Sequence, residues 1–238
     1  MFVGVDGCRA GWLAIELETA GSWQVNIFPD VSSLWHHHRA AALILIDIPI
    51  GLKAGGSAER RCDPEARRLL GPRRSSVFPA PCRSAAYANS YLEACDINEC
   101  LTGRRLSRET WNITPKIREV DRLLLSTPYA KSRIRESHPE LCFWALAGHP
   151  MEYPKKRPEG QLEREKVLTS IYPQTPEYMA YALSTFKRKD VARDDILDAL
   201  SIAVTAMMGR QRLVSIPQTP ELDDRGLCME MVYCLMEN

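Results

Sequence analysis

Asp195 and Asp198 lie three residues apart in the run Arg193-Asp194-Asp195-Ile196-Leu197-Asp198-Ala199-Leu200-Ser201-Ile202-Ala203. On a helix that spacing puts both carboxylates on one face, aimed at one place. Beyond Asp198 the run is almost wholly apolar, so the helix is expected to be buried and to hold its acidic end rigidly against a sheet. Three further acids stand near expected strand ends: Asp6 after the apolar run 2–5, Asp47 within the run 42–48, and Glu136 at the close of 132–136. Carboxylates gathered at a buried site repel one another unless protons or cations neutralise them, and the hard, oxygen-seeking cations that keep open water positions are Mg²⁺ and Mn²⁺. Two such ions, roughly 3.5–4 Å apart, activate a water and stabilise the leaving oxygen in phosphodiester hydrolysis.

Each acid also has a plainer reading. A carboxylate in the first turn of a helix caps it and meets its dipole, which would account for Asp194 and Asp195. Asp6-Gly7 is a common turn, and Glu136 would serve as a surface acid at a strand end. Asp47 resists such a reading, because a lone acid in an apolar central strand is costly to bury and has no turn to serve.

The elements that must position these acids follow from the apolar pattern. Residues 2–5, 12–17 and 23–28 read as strands separated by glycine-containing breaks, which predicts an antiparallel meander. Asp30 can cap a helix over 31–39. Residues 42–48 are apolar apart from Asp47, as a central strand buried on both faces requires, and Pro49 and Gly51 end it. Residues 132–136 form the last core strand, 162–171 and 177–186 read as helical, and 194–208 is a strong helix closed by Gly209. Residues 213–216 can pair with 227–233 as a hairpin. This order predicts a mixed α/β sheet of five strands with helices on its faces.

The composition adds limits. Apolar residues are 45% of the 238 and charged residues 26%, globular values that exclude a disordered or fibrous chain. The 31 Lys and Arg nearly cancel the 30 Asp and Glu, so binding to nucleic acid must come from a local patch. Eight cysteines without CxxC pairs read as reduced thiols. With neither a secretory leader nor an apolar stretch of ~18 residues, a cytoplasmic protein is expected.

Residues 53–129 are basic and irregular, and read as a largely helical insertion between the fourth and fifth core strands, with a helix expected over 115–125. Ten arginines fall between Arg60 and Arg108. Arg60, Arg61, Arg73 and Arg74 are expected to meet phosphates from above the acids, although arginines on helices are commonly a solvated face. Arg9 is a further candidate, and Lys116, Lys155, Lys156 and Arg157 are weaker ones. Phe78, in the proline-rich loop 75–81, suits packing better than base stacking. His36, His37 and His38 fall on an expected helix, where consecutive residues point apart, so they read as a poor metal cage and a solvated face. His138, close to Glu136, could meet a phosphate. Cys95 and Cys100 have no cysteine pair nearby and do not make a zinc site.

The segments Val3-Gly4-Val5-Asp6-Gly7-Cys8-Arg9-Ala10-Gly11-Trp12, Ile46-Asp47-Ile48-Pro49-Ile50-Gly51-Leu52, Glu136-Ser137-His138-Pro139-Glu140 and 195–203 together resemble the RNase H-like nuclease family known as domain of unknown function 429. The last segment is more distantly similar to the final acidic motif of bacterial Holliday-junction resolvases. The resemblance implies one RNase H-like domain over 1–238 carrying the 53–129 insertion. It also implies a metal centre of Asp6, Asp47, Glu136, Asp195 and Asp198, with Mg²⁺ or Mn²⁺ as cofactor. Asp6 would bridge two ions, Asp47 and Glu136 would complete one shell and Asp195 the other, and Asp198 would stand behind them or substitute. The implied activity is hydrolysis of a structured nucleic acid or RNA–DNA hybrid. Nucleic acid is thus the expected partner, with a homodimer as the expected assembly and no membrane. Two rivals use the same fold: an ATPase or phosphotransferase of the actin-like class, and a non-catalytic binding module.

Overall fold

The computed structural model describes residues 1–210 and 212–236. Strands β1 (Phe2–Cys8), β2 (Gly11–Leu17) and β3 (Trp23–Phe28) lead into α1 (Val31–His38) and β4 (Leu43–Ile46). A helical stretch follows: α2 (Cys62–Leu70), a 3₁₀ turn over Gly71–Ser76, α3 (Arg83–Ala86), α4 (Tyr91–Thr102), α5 (Arg108–Ser126) and α6 (Pro128–Lys131). The chain returns through β5 (Ile134–Glu136), α7 (Pro139–Ala147), α8 (Pro158–Ile171), α9 (Thr175–Thr185) and α10 (Arg193–Met208), and ends in β6 (Val214–Leu222) and β7 (Cys228–Tyr233).

Two compact units divide these elements. The first comprises Met1–Asp47, Arg133–Val214 and the described residues from Val232 onward; the second comprises Ile48–Ser132 and Ser215–Met231. The insertion expected at 53–129 lies within the second unit. The second unit is wider than the insertion and takes in most of the β6–β7 hairpin. Asp223 explains why: it accepts the Leu52 N–H at 3.0 Å and pairs with Arg83, which also pairs with Asp121. A core of Cys82, Ala85, Ala88, Ala94, Cys95 and Leu106 lies inside this unit.

The first unit is an α/β structure built on a mixed five-stranded sheet of order β3-β2-β1-β4-β5, flanked by helices. β1–β2 and β2–β3 are antiparallel, while β1–β4 and β4–β5 are parallel. This is the expected arrangement, consistent with an RNase H-like sheet. Side chains alternate across a strand, and Gly4 fixes which face is which. A Cβ there would stand 2.2 Å from Ala203 N and 2.3 Å from Ala199 O, so α10 lies directly on the face shared by Phe2, Gly4 and Asp6. Leu13, Ile15 and Leu17 join that face by register and pack with Ile196, Leu197, Ala199, Leu200 and Ala203. Buried from Ile196 to Ala206, α10 is apolar on all sides apart from Asp198, Ser201 and Thr205, as a helix with no solvent face requires.

Two helices differ from the sequence expectation for identifiable reasons. The helix expected from residue 115 begins at Arg108, capped by Ser107, which accepts the Thr110 N–H at 3.1 Å. Pro115 is tolerated inside it because the Thr114 hydroxyl donates at 2.8 Å to Trp111 O, the carbonyl that Pro115 cannot serve. α7 was not anticipated, since an almost wholly apolar segment has no amphipathic period to detect.

Candidate metal centre

Register brings the first two acids together. Val5 of β1 lies beside Ile46 of β4, and the Asp47 N–H extends that parallel ladder by donating to Val5 O at 2.9 Å. Asp6 and Asp47 are therefore the next pair, on strands about 4.8 Å apart and on the same sheet face. The other two acids arrive with α10. From Gly4 to Asp6 the strand advances about 6.6 Å, and from Ala199 back to Asp195 the helix retreats about 6.0 Å. Close contact at Gly4 thus sets the acidic end of α10 against Asp6. Asp198 is buried and pairs with the Lys155 ammonium, and Asp195 accepts the Ala192 N–H at 2.9 Å, so one of its oxygens caps the helix.

The electrostatics match this crowding. Burial pushes the Asp6 carboxyl well above its ordinary value, and Asp47, Asp198 and Asp195 push it further, against the pull of Lys155. Burial also raises Asp47, to about 7, with Lys155 opposing and Asp198 adding. Asp195 is raised chiefly by burial. Lys155 is held charged, above all by Asp198 and then by Asp6 and Asp47. Burial lifts the nearby Cys142 thiol to about 11, so it stays protonated and offers no thiolate. Four carboxylates against one ammonium form a hard oxygen donor set with charge to spare, which fits a divalent cation such as Mg²⁺ or Mn²⁺.

Glu136 falls outside this group. It pairs with Ile46 in the β4–β5 register and so projects to the face of Val5 and Ile46, away from Asp6 and Asp47. The place on the α10 face goes instead to Ser137, whose N–H donates to Ile46 O at 3.0 Å and whose hydroxyl donates to Val232 O at 2.8 Å. Asp198, expected behind the metal shell or as an alternative ligand, acts on both Asp6 and Asp47, and Asp195 lies toward the rim.

At that rim opens a cavity of about 700 Å³, where Arg9, Lys156, Arg188 and Lys189 stand with Asp194 and Asp195. Arg9 and Lys156 were expected at such a place. Arg188 and Lys189 were not singled out, although the basic triplet Lys187-Arg188-Lys189 between two helices was a visible signal.

The arginines of the second unit serve mainly its own fold. Arg60, expected to face phosphate, is buried against Asp63 and donates to Ile50 O at 3.0 Å. Arg61 is exposed and lies 3.5 Å from Glu65. Arg67 and Arg104 share Glu59, Arg105 meets Asp96 and Glu99, and Arg108 stacks 3.7 Å over the Tyr91 ring. Arg73 and Lys116 are half-buried, and Arg74 is exposed. His138 caps α7, its Nδ1 accepting the Glu140 N–H at 3.2 Å. Of the three consecutive histidines His36 and His37 are exposed as expected, but His38 is fully buried.

A family model described as "Protein of unknown function (DUF429)" matches residues 4–222. The chain belongs to this family. The family segment contains Asp6, Asp47, Lys155, Asp195 and Asp198, so the whole acid group lies within it. None of the curated proteins and none of the solved structures matches the chain. Among the described residues no helix is long and apolar enough to cross a membrane.

Proposed function

We propose that this member of the family is a Mg²⁺- or Mn²⁺-dependent nuclease that hydrolyses phosphodiester bonds of a structured nucleic acid or RNA–DNA hybrid. The observation that carries this reading is the convergence of Asp6, Asp47, Asp195 and Asp198 at one end of a mixed sheet, beside a groove lined by four cationic side chains. Asp6, acted on by all three other acids, would hold both ions, with Asp47 and Asp198 completing one shell and Asp195 the other. When bound, the ion pair supplies an activated water and charge stabilisation of the leaving oxygen.

The chain's own residues do the rest. Arg9, Lys156, Arg188 and Lys189 hold backbone phosphates and present one phosphodiester to the acids. Lys155 pairs with Asp198 and places a positive charge among the acids. The buried sheet and α10 keep the carboxylates from turning outward, so geometry is set before substrate arrives.

The test is hydrolysis of labelled hybrid, branched and single-stranded nucleic acids by the parent and by Asp47→Asn, with Mg²⁺, with Mn²⁺ and with chelator. Cleavage of at least one substrate that needs the metal and falls by orders of magnitude in Asp47→Asn is expected. Equal rates for the parent and Asp47→Asn, or cleavage indifferent to chelator, would contradict the reading.

A further inference from the structure

On the sheet face opposite α10, Glu16 of β2 meets the C-terminal end of α1, and we propose that Glu16, His37 and His38 form a second metal site, for a Zn²⁺-class ion. Glu16 lies opposite Val3 and so belongs to the face away from Asp6 and Asp47. Its Oε1 is 2.7 Å from His38 Nε2 and 3.5 Å from His37 Nε2, and the ligand atoms of all three residues lie within 4.8 Å of one another.

The orientation of His38 favours a metal. Its Nδ1 lies 3.0 Å from Leu34 O, a pure acceptor, so Nδ1 carries a proton that stays in place, and Nε2 is the nitrogen that faces Glu16. A metal-ligating imidazole is typically fixed this way, by a hydrogen bond from its other nitrogen to a backbone carbonyl or carboxylate. The rings are also held in place. Phe28 packs at 5.4 Å from His37 and 5.2 Å from His38, and the two imidazoles stand 4.7 Å apart at 72°.

Distances and access fit a tetrahedral ion. Bonds of about 2.0–2.1 Å keep neighbouring ligand atoms roughly 3.3–3.4 Å apart. The Glu16–His37 separation already matches. The Glu16–His38 contact is a hydrogen bond that must open by roughly 0.7 Å when the ion replaces the shared proton, which leaves to solvent. His38 and Glu16 form the buried floor while the His37 side chain is 51% exposed, so an ion enters past His37 and keeps a water in its fourth position. Two imidazoles and one carboxylate select Zn²⁺, Co²⁺, Ni²⁺ or Cu²⁺ over Mg²⁺, whereas the four-carboxylate group does the reverse. The two sites are therefore separable in one protein by ion type.

The test uses the full chain freed of any histidine tag, with Zn²⁺ titrated calorimetrically under saturating Mg²⁺ and Co²⁺ followed by its visible ligand-field bands. The expected result is one Zn²⁺ per chain and intense tetrahedral Co²⁺ bands, with affinity lowered at least about tenfold in His37→Ala and unchanged in Asp47→Asn. His37 is exposed, so its replacement leaves the fold intact; Glu16→Gln gives a second reading of the same site. Absence of Zn²⁺ binding in the parent, parent-like affinity in His37→Ala, or loss of binding in Asp47→Asn would overturn the proposal.

Discussion

Asp47 is a carboxylic acid that the folded chain keeps protonated up to about pH 7. Its folded value lies above its unfolded one, so between about pH 4 and pH 7 the native state holds a proton that the unfolded state has lost. Metal-free protein should accordingly lose stability as pH rises through that window, by on the order of a few kcal/mol, and level off above it. Asp47→Asn should flatten this decline and be as stable as the parent or more so at pH 8, because a repulsive buried charge is removed. Thermal melts of both proteins from pH 4 to 9 with chelator present check this; parallel curves would mean that Asp47 does not carry the effect. Lys155 makes the complementary prediction. Its side chain is 43% exposed, so Lys155→Met should cost only about 1 kcal/mol, or roughly 2–4 °C in Tm. Saturating Mn²⁺ should erase most of that deficit by neutralising Asp198 in its place, whereas an equal deficit with and without Mn²⁺ would leave Lys155 a merely structural partner.

Asp6, Asp47, Asp195 and Asp198 were legible because an acid in an apolar run has few structural uses and a spacing of three defines a helix face. Glu136 was misread because a strand of three residues carries too little alternation to fix its register, and a slip of one residue reverses the face. Lys155 was named only as a weaker phosphate candidate, because the acid it pairs with is distant in sequence and neither spacing nor pattern links them. His38 escaped because helical spacing says which way a residue points and not whether a strand arrives to meet it.

At the scale of elements, the contact between β1 and α10 sets the site. Gly4 permits it, since any Cβ would collide with the backbone of Ala199 and Ala203. Gly4→Ala should cost about 3 kcal/mol or more by forcing the helix off the sheet, and should also weaken Mn²⁺ stabilisation, because Asp195 and Asp198 move with α10. Denaturant unfolding with and without Mn²⁺ measures both effects, and a variant as stable as the parent would refute the packing described. The mixed five-stranded sheet was readable from three strands, a helix and two apolar runs. Of the second unit's helices only part of α5 was placed, and α7 was missed because a uniformly apolar segment lacks a period.

At the scale of the molecule, net charge is only +1, so the proposed nucleic-acid binding would rest on where the cations are unspent. Density of arginine in the sequence pointed to residues 53–129, but carboxylates and carbonyls of the second unit occupy most of those guanidinia. The groove of the first unit offers Arg9, Lys156, Arg188 and Lys189 instead. Replacing these four with Gln should weaken binding to different sequences about equally and flatten the log–log salt slope by roughly 0.7–0.9 for each phosphate that the variant no longer neutralises. Arg61→Gln with Arg74→Gln should change the slope little. The opposite ranking, read from binding curves at several salt concentrations, would return substrate capture to the second unit.

The central claim is that Asp6, Asp47, Asp195 and Asp198 together hold divalent metal, and its most direct test is anomalous diffraction from crystals soaked in Mn²⁺. Density within coordination distance of Asp6, Asp47 and Asp198, with Lys155 displaced from Asp198, is the predicted result. Crystals that remain without density there, or that bind Mn²⁺ only beside Glu16, would contradict the account.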